Sequence, residues 1–355
     1  MSPFLSVTAL LLAASVVFML PLVPALLELH RKSDASPLSV IQQHAGEIRY
    51  FADGFRSYIK GLEPLLRESV SSGAATTGML PGGTEYLVLG RGDDLKLPLK
   101  ESDELCPVLI AASTDLLLPS ETTFSKDIYA GGRFIGGTKN RYRAILGEKD
   151  VHLSAESSVM RWVHAVGEFW ADQDCKLHGR VSSDGRIRLQ RGCTFQRLNA
   201  PCVEFGGAEN SIERRPERIA LATETACPQR LLHDGDFEIP AGETFRGNLV
   251  VRGCLSIGSG ARVDGSVKGG KDVVIGCGAS VAGSLIAVSK MRIAADCVIH
   301  GPVISEHLLL IEKGTRCGSP ETPTTVSAPW IQVEEGAVVF GTLWAREQGQ
   351  VVEQL

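Results

Sequence analysis

Two histidines, His300 and His307, are the side chains of the C-terminal half best suited to serve as a general base, since imidazole takes up and returns a proton near neutral pH. His300 directly precedes Gly301, where equivalent positions of neighbouring repeats hold Asp264 and Ala282, a setting that favours an exposed residue without chemistry over a catalytic one. Gly132-Arg-Phe-Ile-Gly-Gly137-Thr138-Lys139 imitates a phosphate-binding loop, but the Lys-Thr order is reversed and no strand-loop-helix pattern surrounds it, so a β-turn is expected. Arg91-Gly92-Asp93 also reads as a turn. Arg161, Arg180, Arg186, Arg188, Arg191 and Arg197 could form a basic ladder for anionic lipid or polysaccharide, with Glu168, Asp172, Asp174 and Asp184 available to balance it. Nine cysteines (106, 175, 193, 202, 227, 254, 277, 297 and 317) contain no C-x-x-C and no two close pairs of the kind zinc requires, so reduced, partly buried thiols are expected. No pattern resembles a Ser-His-Asp or paired-carboxylate centre. No catalytic, cofactor-binding or metal-binding residue and no cofactor is expected.

The elements that must carry these side chains begin with an apolar run. Phe4 to Leu27 holds 24 residues without a charge, long enough to span about 30 Å of hydrocarbon as a helix. Arg31 and Lys32 follow it and no basic residue precedes it. The positive-inside tendency then predicts a single-pass inner-membrane anchor over residues 1–30, N-terminus out and body cytoplasmic. The whole chain has 355 residues, net charge −5, 44% hydrophobic and 22% charged residues. That balance excludes a disordered tail and a basic nucleic-acid binder. The 38 glycines with only 6% aromatics favour a turn-rich β protein.

Ser36-Pro37 suits a helix start, and Ile41, Ala45, Ile48, Ala52, Phe55, Ile59, Leu62 and Leu66 recur at steps of three, four or seven. An amphipathic helix of about 30 residues is expected, with balanced charges and with Gly46, Gly54 and Gly61 marking close packing on a partner or on the body. Ser69 to Gly83 reads as a flexible linker, completing a segment over 31–84.

The strongest pattern is a repeat of 18 residues. Ile239, Ile257, Ile275, Ile293 and Ile311 form one column; Phe245, Val263, Val281 and Ile299 a second; Leu249, Val267, Leu285 and Val303 a third. Gly242, Gly260, Gly278, Asp296 and Gly314 make a turn column, and Gly247, Gly265, Gly283 and Gly301 another. Beyond Ile311 the step lengthens to 22, reaching Val333 through a four-residue insertion in Pro320 to Pro329. Period-2 alternation inside each unit marks strands, so each unit is one coil of a β-solenoid with ladders of Ile and Val inside. A weaker array precedes it: Val151, Phe169 and Ile187 step by 18, as do Val159, Leu177 and Phe195. Leu116 to Gly132 aligns without gaps on Phe237 to Gly253, and an insertion is expected near Ile135 to Lys149. The expected fold class is therefore all-β: two tandem β-solenoid arrays, 85–206 and 236–346, joined by a connector over 207–235 and followed by a tail over 347–355.

Runs such as Val263-Asp264-Gly265-Ser266-Val267 and Val281-Ala282-Gly283-Ser284-Leu285 resemble the bactofilins, polymer-forming bacterial cytoskeletal proteins. The resemblance covers about a third of the chain well. It implies a right-handed β-helix that stacks end to end without nucleotide, often at the membrane, as a platform for cell-envelope or exopolysaccharide enzymes, with no catalytic residues to transfer. Partners are then a second copy of the chain, the inner membrane and envelope proteins, with no nucleic acid. Open coil ends support self-association on physical grounds, because they leave unpaired backbone groups above an apolar interior. The alternative is a left-handed β-helix acyltransferase, since Ile239, Phe245, Val251, Ile257 and Val263 also recur every six residues; His300 or His307 would be its base.

Overall fold

The computed structural model describes Met19, Leu20, Val23, Arg49–Gly90, Leu97–Leu99, Glu104–Gly206 and Arg230–Leu355. Residues from Ile48 onward belong to one compact unit, and that unit is a β-solenoid. Parallel pairing places Ile239 beside Ile257, then Ile275, Ile293, Ile311 and Val333 in turn. Every member of this column is at most 3% exposed. Phe245, Val263, Val281, Ile299, Cys317 and Val339 form the second ladder, and Leu249, Val267, Leu285, Val303, Val326 and Leu343 the third. Three short strands per coil thus send these apolar columns into the interior, and Leu255, Val273, Met291 and Leu309 stack as a further buried column beside the isoleucines. Each fully buried Ile or Leu contributes about 1.5–3 kcal/mol of transfer free energy.

The turns follow from backbone geometry. Gly242, Gly260, Gly278 and Gly314 adopt φ of +73°, +67°, +68° and +73°, and Asp296 takes the same corner at +60°. At the other turn column, a Cβ on Gly265 would lie 2.0 Å from the Gly247 carbonyl oxygen, so neighbouring coils can stack there only without a side chain.

The first array obeys the same rule. Val151, Phe169, Ile187 and Val203 stack, as do Val159, Leu177 and Phe195. The insertion expected near Ile135 to Lys149 is absent. Phe134 pairs with Val151, a step of 17, so this coil is one residue shorter than its neighbours. Its strands Phe134–Gly136 and Arg141–Gly147 occupy ordinary ladder positions.

How the arrays meet differs from a simple tandem. Strand Thr194–Phe205, in the last coil of the first array, pairs antiparallel with Val338–Val352, in the last coil of the second. The register runs Thr194 to Gln350, Leu198 to Leu343 and Glu204 to Val338, covering all three sides of the coil. The two arrays therefore join C-terminal end to C-terminal end. The stretch expected as a tail forms the end of this strand: Gln350 lies between Gln332 and Thr194. Phe195 and Phe205 fill the junction with ring centroids 6.0 Å apart, and Asn199 Nδ2 donates to Thr342 Oγ1 at 2.7 Å.

Helix α1 (Tyr50–Ile59) continues through a 3-10 turn into α2 (Glu63–Ser72), which has Pro64 in its first turn and Gly73 at φ +70° as its stop. Ala52, Phe55, Ile59, Leu62 and Leu66 are buried against the outer side of the first array, on Val88, Leu109, Ala111, Leu146 and Trp162. Arg56 holds Glu148 bidentately, at 2.7 and 2.9 Å, and Ser113 Oγ donates to the Leu66 carbonyl at 2.7 Å. Gly54 and Gly61 do not mark close packing, since a Cβ on either would meet nothing within 4 Å. The expected helix positions before Arg49 lie outside the described residues. The expected linker is a helix end followed by a hairpin: Thr76–Leu80 pairs antiparallel with Thr84–Leu89. Its glycines serve geometry, because Gly82 and Gly83 turn at positive φ and Gly78 leaves room for the Tyr86 hydroxyl.

The expectation of a single-pass inner-membrane protein is corrected. Among the described residues no helix is long and apolar enough to cross a membrane, and α1 and α2 have 10 residues each. Of Phe4 to Leu27 only Met19, Leu20 and Val23 are described.

Candidate functional site

The ends of the stack are where a solenoid can add a partner, and the described ends differ. At the start of the first array the Thr76–Leu80 hairpin edges one side, Leu105–Cys106 and Leu116–Leu117 are only two residues long, and Leu97 packs against the interior. Short edges and a covering side chain are the usual protection against edge pairing. At the start of the second array, strands Arg230–His233, Phe237–Ile239 and Thr244–Arg246 each pair on one side only among the described residues, with Asn248–Val251, Leu255–Ile257 and Arg262–Asp264.

Among the described residues, that coil also leaves part of the apolar interior uncovered. Leu231, Phe237 and Phe245 each begin an interior column, yet Leu231 is 37% exposed and both phenylalanines are half-buried, whereas Ile239 in the same coil and every residue stacked beneath the three are sealed. Leu232 adds a 51% exposed side chain on the outer surface. Arg230 and Arg246 on one side, with Asp236, Glu238 and Glu243 on the other, give the coil both charge signs.

A second cluster lies beneath α1. His164 and Ser182 occupy equivalent positions of adjacent coils, with His164 Nδ1 and Ser182 Oγ 2.9 Å apart. Asp184 Oδ2 stands 4.0 Å from His164 Nε2. A Ser-His-Asp constellation, for which the sequence shows no motif, is thus assembled by coil stacking. The 18-residue separation of His164 and Ser182 is its one visible trace. The His164 side chain is 2% exposed and α1 lies across it, leaving a cavity about one water molecule in size beside Phe51, Ala52 and Trp162. No substrate has access to that hydroxyl.

The sequence candidates are dispersed. His300 and His307 sit at opposite ends of strand Val303–Ser305, on successive corners of the coil; His300 Nε2 is buried without a partner and His307 is exposed. The arginines divide among structural roles instead of forming one ladder. Arg186 and Arg188 hold Glu204, Arg191 holds Glu353 across the junction, Arg180 covers the Phe51 ring and Arg197 covers the Trp344 ring. The phosphate-loop look-alike is strand Phe134–Gly136 and its turn, where Gly137 passes directly over the Pro119 carbonyl group. Arg91-Gly92-Asp93 lies outside the described residues. Among the cysteines, Cys106, Cys175, Cys193, Cys297 and Cys317 are buried and Cys254 and Cys277 exposed; Cys227 lies outside the described residues. Burial pushes the Cys297 thiol up to about 11 and the Cys317 thiol up to about 12.

No family model, curated protein or solved structure matches this chain. The functional reading therefore rests on geometry.

Proposed function

We propose that the chain is a self-associating β-solenoid scaffold of bactofilin-like type, and that it associates through the open first coil of its second array. One observation carries this reading: among the described residues three strands are hydrogen-bonded on one side only, above an interior whose first residues, Leu231, Phe237 and Phe245, are partly exposed. An edge of this kind stacks on another chain unless something protects it. The mode of contact has a precedent within the molecule, because two coil ends of this chain already pair antiparallel across Thr194–Phe205 and Val338–Val352. A second copy presenting its own Arg230–Arg246 coil would repeat that arrangement with two-fold symmetry. The opposite-sign groups on the coil suit such a contact, since a two-fold axis brings each patch against the other copy's other side.

The same geometry limits the assembly. The last coil of the second array is consumed by the internal junction, and the start of the first array is blunted. Association then ends at a pair and does not propagate into a filament. The scaffold would present two long solenoid surfaces to envelope or polysaccharide-synthesis proteins, the partner class that the bactofilin resemblance implies. Light scattering of the full chain over a hundredfold concentration range tests the reading. A rise from one-chain to two-chain mass supports it, and a constant one-chain mass contradicts it.

A further inference from the structure

We propose that His164 is the trigger of an acid-released latch, which holds α1 and α2 on the first array at neutral pH and frees them when the imidazole gains a proton. The helices cover an apolar surface of the sheet built by Val88, Leu109, Ala111, Leu146 and Trp162. His164 lies at the edge of that contact, beneath the start of α1 beside Phe51, Ala52 and Trp162. Its Nδ1 is engaged with Ser182, and its Nε2 is buried with no hydrogen-bond partner. A neutral imidazole tolerates this environment. An imidazolium there carries a buried N–H and a positive charge that must find an acceptor.

The charged groups around it come from both sides of the contact. Arg49, Asp53 and Arg56 belong to the helix, whereas Glu148, Arg180 and Asp184 belong to the sheet. Glu148 is taken by Arg56 at 2.7 Å, and Arg56 also holds Asp53 at 2.8 Å. Arg180 lies over the Phe51 ring and adds positive charge nearby. Asp184 is the acceptor nearest Nε2, 4.0 Å away, but it is bound to Arg49 at 2.6 Å. The imidazolium and Arg49 therefore compete for one carboxylate. If Asp184 stays with Arg49, the new charge is unpaired beneath α1. If Asp184 turns to His164, the tie at the start of α1 is lost. Both outcomes weaken the docked state.

The direction of titration agrees. Burial, the largest influence, holds the His164 pKa below its ordinary value, with Asp184 opposing. The docked state thus binds the proton more weakly than the released state. Docking is at full strength above the ordinary imidazole value of about 6.5 and weakens as pH falls below it. For a docked site that stays neutral, the opening equilibrium grows up to about 30-fold between pH 7.5 and pH 5.0.

Hydrogen exchange of the full chain, corrected for intrinsic rates, tests the latch at pH 7.5 and 5.0. Peptides from Tyr50–Ser72 should lose protection by at least tenfold at pH 5.0, while those from the Ile257–Ile311 ladder keep theirs. His164→Asn should hold the helices equally at both pH values. Unchanged wild-type protection, or an equal acid loss in His164→Asn, would overturn the proposal. Should that variant fold poorly, an imidazole resonance of the wild-type protein that titrates at or above 6.5 overturns it independently.

Discussion

Gly349→Ala should break the junction between the arrays through one contact. A Cβ at Gly349 would stand 2.2 Å from Phe195 Cε2 and 2.3 Å from Cζ, where carbon atoms ordinarily approach to about 3.5–4.0 Å. Gly349 has no left-handed φ, so alanine adds no backbone strain and the ring must give way by more than about 1 Å. Phe195 is 1% exposed and lies against Phe205, so it has no empty space to enter. Overpacking of this kind costs about 1–3 kcal/mol. The loss is local, because coils of a solenoid contact only their neighbours. Hydrogen exchange should therefore quicken in Thr194–Phe205 and Val338–Val352 and not in the middle of either array. Shrinking the ring relieves the clash, so Phe195→Leu with Gly349→Ala should be more stable than the sum of the single effects by about 1 kcal/mol or more. Strict additivity of the two substitutions would refute the contact.

Other expectations follow from the same geometry. Gly54→Ala and Gly61→Ala should each stabilise the helical segment by about 0.5–1 kcal/mol, because both sites are exposed and sterically open, and thermal unfolding monitored by helical circular dichroism reads the gain. Gly278→Val should destabilise by about 1–2 kcal/mol while Gly278→Asn costs less, since the corner sits at φ +68° in open space and Asp296 already occupies its equivalent; chemical denaturation separates them. Among the described cysteines, Cys254 and Cys277 should react with a thiol reagent in the native protein at pH 8, whereas Cys297 and Cys317 should react only after unfolding, as mass spectrometry of labelled peptides would show. Because those two buried thiols have raised pKa values, their contribution to stability is complete below about pH 9 and is lost progressively as pH rises toward 11–12.

The coils were legible because a solenoid writes its spacing directly into sequence. Ile239 to Ile311 recur at 18 since each must fall on the last, and glycine recurs where φ is positive or the next coil passes overhead. The face of α1 and α2 was equally legible from Ala52, Phe55, Ile59, Leu62 and Leu66. Direction was not. The ladder columns carry no mark of whether a second stack continues or reverses, so the antiparallel pairing of Leu198 with Leu343 had no local signature. The connector was the one hint. A second array continuing upward needs only a short turn after Gly206, whereas an array that starts at Arg230 and returns needs chain enough to cover its own height. Six steps of about 4.8 Å, from Leu231 to Leu343, come to about 29 Å, well within the reach of the 23 residues between. The His164 cluster was hidden for a related reason: its members meet by stacking, and a motif search looks for neighbours in sequence. The glycines of 69–83 misled because composition alone does not separate a flexible linker from a hairpin that needs Gly78, Gly82 and Gly83.

Sedimentation velocity of the full chain beside its Leu231→Lys/Phe245→Lys variant tests the open coil most directly. A two-fold contact would bury these lysines in the apolar seam between two copies, and in a single chain both stay solvated at the end of the stack. The wild-type chain should sediment as a concentration-dependent pair and the variant as one chain with unchanged circular dichroism. A variant that still pairs, or a wild-type chain that stays single at every concentration, would contradict association through Arg230–Arg246.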